Sequence, residues 1–230
     1  MSTVSGKKVV MDTQTMLKSL GFDPKGIDGA WGKNSQAAFD ALVDSNRNSR
    51  SPFGVTIIPW GNKLTLPELE KMAVVVKNLG WTKPQLLDLM ACIAWESGES
   101  FSPAKKNPVS SATGLIQIME AVAKEMGTTT AALAKMTVVQ YLDYVEKYFW
   151  RYRTRVKTLS DLYMAILWPA AIGRAESAVL WSKDTNAPTY KANSGLDLNQ
   201  DGTVTVGECV HKIRNKYVRG FTGSFGRRVA

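Results

Sequence analysis

The sequence predicts a mainly all-α fold, with a short helical module ahead of a larger helical domain. Three observations lead there. Apolar residues recur at helical spacing through much of the chain, helix-start signals precede several of those runs, and no strand-rich block interrupts them. At 230 residues the chain has room for one mid-sized domain and a small module. Hydrophobic content of 44% and charged content of 21% are those of an ordinary globular protein.

Residues 1 to 45 form the expected module. Thr13 to Leu20 reads as a helix that Gly21 stops, Asp28-Gly29-Ala30-Trp31-Gly32 as a tight turn, and Asn34 to Val43 as a second helix. Residues 46 to 63 read as a linker, polar at first and then broken by Pro and Gly, with Thr56 to Ile58 compatible with a small β-hairpin. Residues 64 to 230 form the larger domain. Its expected helices are Leu66 to Leu79, one starting at a Thr82–Gln85 capping box, Thr113 to Met126 ended by Gly127, Val138 to Arg153, Leu159 to Trp168, and Glu176 to Trp181. Asn186 to Gly195 makes a poor helix, whereas Val206 to Tyr217 makes a good one.

Composition narrows the function. The N-terminus lacks the apolar core of a signal peptide, and no apolar run is long enough to span a bilayer. The expectation is synthesis in a cytoplasm without stable membrane insertion. A net charge of +9 favours anionic partners but does not choose among them. Cys92 and Cys209 are too few for a disulfide framework, and His211 is the sole histidine, which excludes a His-rich metal cluster. Residues 209 to 230 carry no acid, while Lys212, Arg214, Lys216, Arg219, Arg227 and Arg228 are basic. Its last stretch, Gly220 to Arg228, is expected to be mobile, and the basic segment either simply solvated or drawn to an anionic bacterial envelope.

Glu96 carries the chemistry. It ends the apolar run Leu86 to Ser97, and a carboxyl sheltered by apolar neighbours stays protonated near neutral pH because desolvation disfavours its charge. A general acid that protonates a glycosidic oxygen needs that property. Glu99, one turn away, competes for the role or raises the Glu96 pKa by repulsion. A small-residue turn, Ser110-Ser111-Ala112-Thr113-Gly114, leads into Leu115-Ile116-Gln117-Ile118-Met119 and offers backbone groups and an amide to a sugar.

Glu96-Ser97, Phe101, Pro103, Ser111 and Gly114-Leu115-Ile116-Gln117 together resemble the lytic transglycosylase family, which shares a lysozyme-like fold. The resemblance spans roughly residues 65 to 182. It implies cleavage of the β-1,4 bond between N-acetylmuramic acid and N-acetylglucosamine in peptidoglycan. Glu96 would act first as acid and then as the base that draws the muramic 6-hydroxyl onto the anomeric carbon, giving a 1,6-anhydro end. Ser97, Ser111 and Gln117 are the implied orienters or glycan contacts, with Tyr163 and Trp168 lining the cleft or packing the core. A Tyr-Asn pair of the family is replaced here by Trp168-Pro169, and this stretch looks more like phage cell-wall lysins. Glu120, Glu125, Asp143 or Glu146 could instead hold a water, which would make the enzyme a muramidase.

Two smaller resemblances complete the reading. The helix–turn–helix with Asp28, Gly29 and Trp31 resembles a peptidoglycan-binding module. Asp197-Leu198-Asn199-Gln200-Asp201-Gly202-Thr203 through Glu208 resembles an EF-hand loop and implies Ca²⁺ held by Asp197, Asn199, Asp201, Thr203 and Glu208 as a structural clip. The expectation is a monomeric phage-type endolysin acting on glycan strands and not on nucleic acid, held in the host cytoplasm until released to the wall or periplasm. A virion-carried lysin, or a wall-binding protein without turnover, fits the same features.

Overall fold

The computed structural model describes residues 6 to 47 and 56 to 229; residues 48 to 55 of the expected linker lie outside them. The described chain is mostly helical. Its helices are α1 (Gly6–Ser19), α2 (Lys33–Arg47), α3 (Leu66–Asn78), α4 (Lys83–Glu96), α5 (Glu120–Glu125), α6 (Thr130–Leu133), α7 (Val138–Trp150), α8 (Leu159–Leu167), α9 (Ala187–Asn193) and α10 (Val206–Arg219). Short strands β1 (Thr56–Ile58), β2 (Val179–Ser182), β3 (Thr203–Thr205) and β4 (Arg227–Val229) form two antiparallel pairs, β1 with β4 and β2 with β3. Among the described residues no helix is long and apolar enough to cross a membrane.

One local device recurs. Helices α3, α4, α7, α8 and α10 each begin at a threonine whose third following residue, Glu68, Gln85, Gln140, Asp161 or Glu208, returns a side-chain oxygen to the threonine N–H. Each box satisfies amide donors that the first turn leaves unpaired, for about 1 kcal/mol. Pro67 and Pro84 sit in the first turns of α3 and α4, where a missing N–H costs nothing.

Helix α4 is the central rod. Every residue from Leu87 to Ala94 is buried, so this helix is enclosed on all sides and packs against α10, α8 and α3. Its C-terminus carries Glu96. The N-terminal helices join the same core: Thr13 of α1, fully buried, accepts a hydrogen bond from Asn215 Nδ2 at 3.0 Å, and Phe39 of α2 meets Tyr217 edge to face at 5.4 Å.

Several sequence expectations give way. Residues 113 to 119 are not helical: Gly114 (φ 85°) and Gln117 (φ 51°) are left-handed, and Thr113 pairs with Ile118 across a tight turn, leaving only α5 downstream. The apolar run 176 to 181 reads equally well as a buried strand, and its end becomes β2, paired with β3. Thr56 to Ile58 makes no local hairpin, since β1 pairs with β4 some 170 residues later. That pairing also corrects the mobile tail. Arg227 donates to the carbonyls of Gly61 (2.9 Å) and Leu64 (2.8 Å), and Asn62 Nδ2 donates to those of Ser224 and Gly226. Residues 187 to 193, expected to be a poor helix, form α9 behind Pro188.

Candidate active site

Glu96 is half-buried, and burial pushes its carboxyl up to about 8. Among the described residues no hydrogen bond or ion pair engages it. Its charge is felt by Tyr148 of α7, Tyr163 of α8 and Cys92 one turn earlier, each held above its ordinary pKa first by burial and further by this carboxylate. The acid therefore lies where α4, α7 and α8 converge, surrounded by protein yet keeping part of its surface open. At pH 7 it holds its proton and can donate it.

The chain after Glu96 is fixed by contacts to α10. Gly98 (φ 59°), Glu99 (φ 65°) and Phe101 (φ 52°) all adopt left-handed backbone, a costly conformation for the two that are not glycine. Lys216 and Arg219 hold the Glu99 carboxylate, and Phe101, 2% exposed, packs on Trp60. Burial alone would raise the Glu99 carboxyl, but the hydrogen bonds and charges of Lys216 and Arg219 outweigh it and hold it below the usual range. The expected repulsion between the two glutamates is absent from this picture: Glu99 is a neutralised anchor of the turn.

Ser97 is fully buried. Its hydroxyl donates to the Ile93 carbonyl at 2.7 Å and accepts the Phe101 N–H at 3.0 Å, so it shapes the turn and contacts neither sugar nor the Glu96 carboxylate. Gln117, half-buried, likewise turns its amide nitrogen inward, donating to the carbonyls of Lys105 (3.1 Å) and Gly114 (2.9 Å). Ser111 is exposed and accepts the Glu120 N–H at 3.1 Å, which caps α5. Lys105, which sequence reasoning passed over, joins the two motif segments. Its carbonyl receives Gly114 N–H and the Gln117 amide, while its side chain lies 3.6 Å from the position a Cβ on Gly98 would take. Gly114 itself is packed under Tyr141, whose hydroxyl donates to the Thr113 carbonyl at 2.7 Å.

Tyr163 is 2% exposed and its hydroxyl accepts Trp95 Nε1–H at 3.1 Å, beside Glu96. Trp168 is 43% exposed and meets Trp181 edge to face at 5.7 Å. Tyr148 was also missed; the signal was the Tyr144, Tyr148, Tyr152 stripe on α7. The four carboxylates considered as water holders are engaged elsewhere: Glu120 by Thr130, Glu125 by Arg151, Asp143 by Lys71 and Glu146 by Asn78.

The module's turn residues bond within the module, with Asp28 exposed and Trp31 half-buried. Gln14, 1% exposed, donates to Asp28 Oδ1 (2.9 Å), the Ala30 carbonyl and Ser35 Oγ, and accepts the Gly29 N–H. The Ala30 N–H and then the Gln14 amide hold the Asp28 carboxyl below its ordinary pKa. Trp31 stands edge-on to His211 at 4.7 Å and donates Nε1–H to Gln36, so it packs the junction with α10.

In the loop from Asp197 to Glu208, Asp197 Oδ2 accepts from Tyr190 and Gly202 N–H, while its Oδ1 is buried with no partner. Asn199 and Asp201 bond to each other, and Glu208 accepts Leu198 and Thr205 N–H. Among the described residues no three or more His, Cys, Asp or Glu side chains are grouped closely enough to hold a metal ion between them. No protein-family model matches the chain, and no curated protein matches it.

Proposed function

We propose that this protein is a peptidoglycan-cleaving enzyme of the lytic transglycosylase type, with Glu96 as its acid and base. The observation that carries the reading is a half-buried, unpaired carboxyl at the end of the central helix, protonated at neutral pH. Proton donation to the bridging oxygen lets the glycosidic bond break as an oxocarbenium-like sugar forms. The carboxylate left behind removes the proton of the muramic 6-hydroxyl, which closes on the anomeric carbon. The engagement of Glu99, Glu120, Glu125, Asp143 and Glu146 with other partners supports an internal nucleophile over a water held by a second carboxylate. A mostly helical setting of this kind fits a lysozyme-like domain, and the wall-binding module and phage-lysin assignment rest on the motifs given above. Exposed Trp168 is the side chain best placed among the expected ones to meet glycan.

The Asp197–Glu208 loop suits a calcium ion as a structural clip. The buried, unpartnered Asp197 Oδ1 calls for a cation, and Asn199, Asp201, the Thr203 carbonyl and Glu208 supply further oxygen donors. The ion would join α9 to α10 and take no part in bond cleavage.

Digestion of purified sacculi followed by mass spectrometry of the muropeptides tests the reaction. Anhydro ends are expected, reducing ends would assign a muramidase, and undiminished lysis by Glu96→Gln would overturn the reading.

A further inference from the structure

The turn that ends α7 carries charge and an exposed ring that the cleavage chemistry does not use. Residues 147 to 157 hold five basic side chains, Lys147, Arg151, Arg153, Arg155 and Lys157, and no acid. Phe149 and Val156 plug the segment into the core at 0% and 1% exposure, and Trp81 Nε1–H donates to the Arg153 carbonyl at 2.9 Å. Those inward ties leave Trp150, Arg151, Arg155 and Lys157 exposed on a backbone that is already fixed. Trp150, at 49%, is the most exposed tryptophan among the described residues.

The cations are not used up inside the fold. Arg153 lies over the Trp150 ring at 4.0 Å and commits one of its five N–H donors to the Trp150 carbonyl, at 2.6 Å. Arg155 makes one long bond, 3.4 Å, to the Ile172 carbonyl. Among the described residues Glu125 is the one carboxylate ion-paired with this set, 3.4 Å from Arg151 between exposed side chains, and such a pair holds little. Of the basic residues on α10, by contrast, Arg214 is taken up by Glu176, and Lys216 and Arg219 by Glu99.

A partner for this surface must offer anions to a row of cations and an apolar layer to an indole. The headgroup region of an anionic phospholipid bilayer offers both, with phosphates at the surface and a boundary where tryptophan sinks its ring and keeps its N–H among the headgroups. A nucleic-acid strand would call for a groove with several stacking rings. Here one exposed ring stands at a helix end, and residues 147 to 157 line neither of two cavities of about 770 and 660 Å³.

We propose that the end of α7, from Trp150 to Lys157, is a docking surface for an anionic phospholipid bilayer, which the protein meets peripherally and does not span. The proposal goes beyond the cleavage reading and does not depend on it.

Co-sedimentation of the full-length protein with vesicles tests it, using phosphatidylglycerol mixed with phosphatidylcholine and, separately, phosphatidylcholine alone. Binding is expected to the mixed vesicles only, and brominated acyl chains should quench tryptophan fluorescence. Lys157→Glu and Arg155→Glu, both at exposed positions, should each weaken binding at least about fivefold. Trp150→Ala should remove the quenching, whereas Arg228→Glu should change nothing. No binding to the mixed vesicles, equal binding to phosphatidylcholine alone, or unchanged affinity in Lys157→Glu would overturn the surface. So would tighter binding to a single-stranded oligonucleotide or to polyphosphate than to the vesicles. Purified sacculi contain no bilayer, so Lys157→Glu should lyse them as the parent does. Vesicle binding without lysis removes only the cleavage reading, and lysis without vesicle binding removes only the docking surface.

Discussion

Glu96 owes its chemistry to its position. Its carboxyl titrates near 8 in the fold and near 4.3 in an unfolded chain, so between those values the folded state binds the extra proton and stability falls as pH rises. Glu96→Gln should consequently stabilise the protein at pH 9, by up to about 5 kcal/mol, and leave it nearly unchanged at pH 4, read by thermal melting. The same substitution should lower sacculus lysis by at least about 100-fold, the usual range of a lost general acid. Wild-type lysis should decline as pH rises through about 8, where the donor loses its proton. A Cβ on Gly114 would lie 2.2 Å from the Tyr141 ring at a φ of 85°, so Gly114→Ala should destabilise by at least about 2 kcal/mol in denaturant titration.

Among elements, the turn after α4 and the N-terminal pair depend on single polar side chains. Gln14 joins α1, the Asp28–Ala30 turn and α2 through four hydrogen bonds. Gln14→Leu would take the acceptor from the Gly29 N–H and the donor from the buried Ser35 hydroxyl and should cost about 2–3 kcal/mol, measured as a lowered denaturation midpoint. Local signals made this level partly readable: the Thr82–Gln85 box and Pro67 marked helix starts that α4 and α3 follow closely. Residues 113 to 119 misled because Leu115, Ile116 and Ile118 are apolar at spacing a helix would accept. The left-handed backbone at Gln117 is held by Lys105, a contact no local window contains.

For the whole molecule, α10 is the shared wall. It touches α1, α4 and α8, anchors Glu99 through Lys216 and Arg219, and supplies Glu208 to the Asp197–Glu208 loop. Among the six basic residues of the C-terminal segment, Arg214 pairs with Glu176, Lys212 lies over the Trp95 ring, and Arg227 is tied to Gly61 and Leu64. Of the six, Arg228 is left exposed. Calcium at 100 times its dissociation constant should add about 2.7 kcal/mol, a rise of roughly 5–10 °C in melting temperature. Asp197→Asn should abolish that rise, and a wild-type melt indifferent to excess calcium would remove the clip.

The amino-acid order alone determined the mainly helical class, several helix starts, the acid at the end of an apolar run and the oxygen-rich loop, because spacing, capping and turn chemistry act within a few residues. Only the tertiary structure decided that Ser97 and Gln117 serve the backbone, that Trp31 packs on His211, and that the last strand closes on Thr56 to Ile58. Those outcomes depend on groups brought together from distant parts of the chain. A hydroxyl or amide commits to whichever donor or acceptor folding places beside it, and burial then makes that commitment costly to undo.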